Sequence, residues 1–124
     1  MGAPRATPAA DPAAVLTKAT QRAAALLGMS QRELAAVLGT SEASISRLGR
    51  QRQLDPDGKE GELALLFLRL FRSLDALVGG NVEQAREWFL AHNHHLDGVP
   101  SELAQTVEGL VRTVMYLDAL RAPN

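Results

Sequence analysis

The feature that most constrains this chain is the punctuation between Ser30 and Leu48. Ser30 precedes Gln31-Arg32-Glu33, so its hydroxyl is placed to cap a helix while Glu33 reaches back to the Ser30 amide, a reciprocal arrangement that fixes a helix start. Leu34, Val37 and Leu38 give that helix a buried stripe, and Gly39 supplies the left-handed residue that stops it. Only Thr40 intervenes before Ser41, which caps another short helix carrying Ile45 and Leu48 on its inward face. Two short helices joined this tightly must cross at a steep angle.

The rest of the chain reads as helix too, and the expected fold class is all-α. With 124 residues there is room for one compact domain or two very small units, which excludes a multidomain enzyme. Aromatics are only 4% of the chain, so the core must come mainly from Leu, Ala and Val, a mixture that favours helix over strand. Val15, Leu16, Ala19, Ala23, Leu26 and Leu27 recur at helical spacing between Ala13 and Gly28. Gln51 to Gly61 is polar, with Pro56 and two glycines, and reads as a connection. From Glu62 to Val78 a helix is apolar on more than one face, a sign of central burial or of a shared subunit contact, which Leu65 and Leu68 are expected to make. Gly79-Gly80 breaks it, Asn81 caps the next helix with Val82, Ala85, Trp88 and Phe89 inward, and Pro100 and Thr106 open the last two. Trp88 and Phe89 are expected as core or interface anchors. The expected organisation is an arm over residues 1–12, a first unit over 13–58 and a second over 59–124.

Charge divides the chain in the same place. Residues 1–54 carry seven Lys and Arg against three acids, and residues 55–124 carry six against eleven. A basic half joined to an acidic half points to a polyanion on one side and a different partner on the other. There is no cysteine, which excludes disulfides and cysteine metal sites and suits a cytoplasmic location. Met1 to Ala14 has three prolines and no apolar core, so it does not read as a signal peptide. The apolar run from Leu63 to Phe71 is interrupted by Arg69 and far short of a membrane span, so no membrane partner is expected.

Enzyme chemistry finds no foothold. No nucleophile elbow, phosphate-cradling glycine loop or dinucleotide fingerprint is present, so neither catalysis nor a cofactor is expected. His92, His94 and His95 lie near Asp97, but structural zinc usually takes four ligands and often cysteine, so this stretch reads as a polar loop and no metal is expected.

The segment from Met29 through Leu38-Gly39-Thr40-Ser41 to Ile45-Ser46-Arg47-Leu48 resembles the helix-turn-helix of Xre/Cro-type repressors. That resemblance implies that the second helix enters the major groove of operator DNA, with Ser41, Glu42, Ala43 and Ser44 facing the groove floor. Gln31 would then meet phosphate or an adjacent base, Arg47 guanine or phosphate, and Arg50 and Arg52 the backbone. Glu42 is the unusual member, since an acid there accepts from cytosine N4 or repels phosphate. Farther on, Ala85-Arg86-Glu87-Trp88-Phe89-Leu90, Leu96-x-Gly98-x-Pro100-x-Glu102-Leu103, Thr106 and Gly109 resemble the toxin-binding domain of the MbcA/ParS/Xre antitoxins, although Ala104 stands where that family repeats leucine. Gly98 is expected to permit an unusual backbone angle and Pro100 to preset a helix start. The two resemblances together imply an antitoxin that occludes a RES-type, NAD-consuming or ADP-ribosylating toxin and represses its own operon, as a homodimer within a larger complex. Gly98, Pro100, Glu102 and the closing residues Leu120, Arg121, Ala122, Pro123 and Asn124 are the implied toxin contacts. The competing reading is a stand-alone repressor whose C-terminal helices serve dimerisation alone.

Overall fold

A computed structural model of the protein describes residues 11–122. It is all-α among those residues, with α1 (Pro12–Leu26), α2 (Gln31–Leu38), α3 (Glu42–Ser46), α4 (Lys59–Leu77), α5 (Val82–Leu90), α6 (Pro100–Leu103) and α7 (Val107–Arg121). Residues 1–10 of the expected arm, with Pro123 and Asn124, lie outside the described residues. Pro12 already belongs to α1, because Asp11 caps the helix by accepting from the Ala13 amide at 3.1 Å and proline suits the first turn.

α4 is the centre. It packs most extensively against α7 and also against α1, α2 and α5. Phe67 and Leu70 are wholly enclosed, and one buried cluster runs from Leu16 of α1 and Leu27 at its end through Leu34 and Ile45 to Phe89, Leu110 and Leu117. The wide apolar arc read between Glu62 and Val78 is thus used for burial on several sides, and Leu68, expected at a subunit surface, is only 6% exposed while Leu65 is 51% exposed.

Two glycines let backbone approach backbone. A Cβ on Gly61 would lie 1.9 Å from the Asp55 carbonyl oxygen, and one on Gly109 would lie 2.0 Å from that of Leu103. The first contact folds the polar connection onto α4, which begins at Lys59, before the apolar periodicity starts. The amide of Leu54 in that connection donates to the buried Thr17 hydroxyl at 2.8 Å, and this binds it to α1 as well. Arg86 of α5 closes α1 from across the chain, donating through Nε to the Leu26 carbonyl at 2.7 Å.

Gly61→Ala and Gly109→Ala are each expected to lower stability by about 1–3 kcal/mol, because the added methyl must displace main chain. Urea denaturation of the two variants checks this, and an unchanged unfolding midpoint would count against the close approach.

Candidate functional site

The sequence signals at Ser30 and Ser41 fold as read. The Glu33 amide donates to Ser30 Oγ at 3.1 Å and the Ser30 amide to Glu33 Oε1 at 3.0 Å. Gly39 adopts φ 70°, and the Ser44 amide donates to Ser41 Oγ at 3.1 Å. The resulting α3 is only five residues long, with Ile45 as its buried residue. A helix this short does not persist on its own. Tertiary contacts hold its end: Gln21 Nε2 of α1 donates to the Leu48 carbonyl at 3.0 Å, and Arg52 Nε to the Ser44 carbonyl at 3.0 Å.

Around that short helix the structure exposes Ser41, Glu42, Ala43 and Arg47, with Ser44 half-buried, and keeps Gln31 exposed at the first turn of α2. Arg50 follows on the surface turn after Gly49. Arg32, exposed beside Gln31, adds a cation that motif reading passed over, because in the pattern it sits between the two capping residues.

Arg52 belongs to the scaffold. Its guanidinium donates to Glu60 Oε1 at 2.7 Å and to Oε2 at 3.0 Å, a two-pronged pair in which both side chains are 25% exposed. The hydrogen bond to Glu60 is the main cause that raises its pKa, burial opposing and Coulombic attraction to Glu60 adding. A raised arginine pKa leaves the group charged throughout the physiological range, so this contribution does not vary with pH there. The Leu48–Arg52 bridge and the Gly49 amide donating to the Arg52 carbonyl at 2.9 Å complete a tight turn. Three donors of Arg52, the residue expected at phosphate, are thus spent within the fold.

The described residues among those read as toxin-facing do not form one patch. The Asn93–Gly98 bridge and the Leu96 amide donating to Asn93 Oδ1 at 2.9 Å shape the loop. The left-handed residue there is Asp97, φ 52°, and not Gly98. Glycine is favoured at 98 for a different reason, since a Cβ would press to 3.1 Å from the Leu103 side chain. Pro100 is buried and shapes the start of α6, whereas Glu102 is exposed. Leu120, Arg121 and Ala122 are exposed at the far end of α7, and from Gly109 to Arg121 the axial rise is about 18 Å. Arg121 Nη1 donates to Ser73 Oγ at 3.0 Å, and the buried Ser73 hydroxyl donates to Asp118 Oδ1 at 2.8 Å, which anchors this end to α4.

Between the two ends lies a surface that spacing alone did not single out. Tyr116 stacks on Trp88 with ring centroids 6.5 Å apart and on His95 at 5.9 Å, beside an exposed Met115. The placement of Val114 and Leu117 inward carried the signal, because it leaves residues 115 and 116 to face outward. His92 approaches Asp97 only to 3.9 Å, and no three His, Asp or Glu side chains converge on a metal position among the described residues. No described helix is long and apolar enough to cross a membrane.

Comparison with known families matches both halves of the chain. Residues 7–69 match the antitoxin Xre-like helix-turn-helix domain, and residues 73–122 match the antitoxin Xre/MbcA/ParS C-terminal toxin-binding domain. No curated protein matches the chain.

Arg52→Ala is expected to cost about 1–3 kcal/mol of stability, because Glu60 and the Ser44 carbonyl lose charged hydrogen bonds. Arg50→Ala, at an exposed turn, should leave the melting temperature within a degree or two. Thermal unfolding of both variants separates a scaffold arginine from a surface one.

Proposed function

The chain belongs to the antitoxin Xre-like helix-turn-helix family, and from that membership we propose that it represses its own operon through α2 and α3 while its C-terminal helices occlude a RES-type toxin. The observation that carries the reading is the exposure of Ser41, Glu42, Ala43 and Arg47 on a helix clamped at its end, in a chain whose remaining half matches a toxin-binding domain. Such a face suits direct base contact, with Arg47 on guanine and Gln31, Arg32 and Arg50 on the backbone. Blockade of the toxin is steric, with no reaction step assigned to this chain. Its contacts on this reading are Glu102, the Trp88–His95–Tyr116 stack with Met115, and the α7 end from Leu120 onward. NAD-consuming or ADP-ribosylating activity is assigned to the toxin, and this chain itself has no catalytic role or cofactor. The protein is expected to act in the cytoplasm as a homodimer within a larger complex, since a five-residue recognition helix offers little contact and paired half-sites double it.

The deciding experiment is a low-salt pull-down of the tagged chain from its host, followed by expression of each co-purifying protein alone. Recovery of one near-stoichiometric partner that arrests growth by depleting NAD supports the reading. Recovery of the chain alone favours a stand-alone repressor. At the promoter, Arg47→Ala is expected to weaken specific binding by about 1–3 kcal/mol and to relax base preference, whereas Arg50→Ala lowers affinity evenly across sequences and flattens its salt dependence. Titration of operator and random duplexes at several salt concentrations distinguishes the two effects, and equal losses on both duplexes for Arg47→Ala would sink its role in base reading.

A further inference from the structure

α4 carries an outward stripe whose charge changes sign along its length. Glu62, Leu65, Arg69 and Arg72 follow at three- and four-residue intervals, so they share one side of the helix, and all four are exposed. Leu65 and Val15 of α1 line an apolar groove of about 370 Å³, which has Leu68 in its wall. A neighbouring hollow of about 420 Å³ toward α7 shares Leu65, Leu68 and Arg72 and adds Arg69 and Arg121. At the N-terminal end of this face Glu62 pairs at the surface with Lys59 at 3.5 Å, and at the other end Arg69 pairs with Asp118, where Arg72 and Arg121 add positive charge. The remaining bases of this acidic half, Arg86 and Arg112, are engaged elsewhere, on the Leu26 and Leu96 carbonyls.

We propose that this face joins two copies of the chain, with α4 antiparallel to its counterpart about a two-fold axis at Leu65. The argument is charge order. Glu62 lies three residues before Leu65 and Arg69 four after it, about 4.5 and 6 Å along the axis. A two-fold contact presents the same patch twice. Antiparallel helices therefore set each Glu62 against Arg69 of the other copy, whereas parallel helices set acid against acid and arginine against arginine. Leu65 and Val15 supply the apolar centre and the charges its rim. This deepens the homodimer reading by giving it a face and a direction, and it is independent of what the toxin is.

The test is sedimentation velocity on the full chain without toxin or DNA. Wild type is expected to dimerise at micromolar concentration, and Glu62→Arg and Arg69→Glu should each weaken the dimer by about tenfold, because two attractive pairs become repulsive. An equimolar mixture of the two variants should associate like wild type, since a copy with arginine at both 62 and 69 meets one with glutamate at both positions. Circular dichroism of each variant confirms that it folds. A wild-type dimer indifferent to either reversal, or single variants that weaken without recovery on mixing, would overturn this face. A wild-type monomer would overturn the homodimer reading as well. None of these results reads toxin binding, which the pull-down tests separately.

Discussion

Everything functional in this protein hangs on the burial of α4. Its Phe67, Leu70 and Leu74 sit in the middle of one apolar cluster, with α1 and α2 on one side and α7 on another. Apart from α1, α4 and α7, the helices are nine residues or fewer, below the length at which isolated helices hold together in water. Their stability is therefore tertiary. α2, α3 and the C-terminal helices are supported by the same core, so a cavity opened at Phe67 would be felt at both surfaces.

Three arginines close together in sequence show how little residue type says about role. Arg47, Arg50 and Arg52 are equivalent in charge arithmetic, and Arg50 and Arg52 also in the role expected of them, yet Arg47 and Arg50 are exposed while Arg52 is spent on Glu60 and the Ser44 carbonyl. The decision is made by Glu60, eight residues on, in a stretch that reads as linker until it folds into the first turn of α4. A half-buried arginine of this kind braces α3, which leaves the neighbouring arginines at the surface.

The C-terminal half makes a related point with glycine. Gly98 and Gly109 are both motif positions, and the obvious reason for a glycine is a left-handed backbone. Neither adopts one; each is instead the place where Leu103 comes close, by its side chain at Gly98 and by its carbonyl at Gly109. The loop and α6 are thereby pressed onto the start of α7, while Ser73, Asp118 and Arg121 fasten the other end to α4. α7 is thus held at both ends, with the Trp88–Tyr116–His95 stack along its middle.

The linear chain settles what is local: the all-α class, the caps at Ser30, Ser41 and Asn81, the stop at Gly39, and most of the inward positions of the amphipathic helices, Val15 being an exception at 52% exposed. These depend on hydrogen bonds and periodicities within a few residues, so they are written in consecutive letters. The start of α4 at Lys59, the commitment of Arg52, the left-handed Asp97 and the exposure of Leu65 beside a buried Leu68 were decided by the tertiary structure. Each depends on a partner supplied by another element, or on which side of α4 its neighbours cover, and neither is encoded in local spacing.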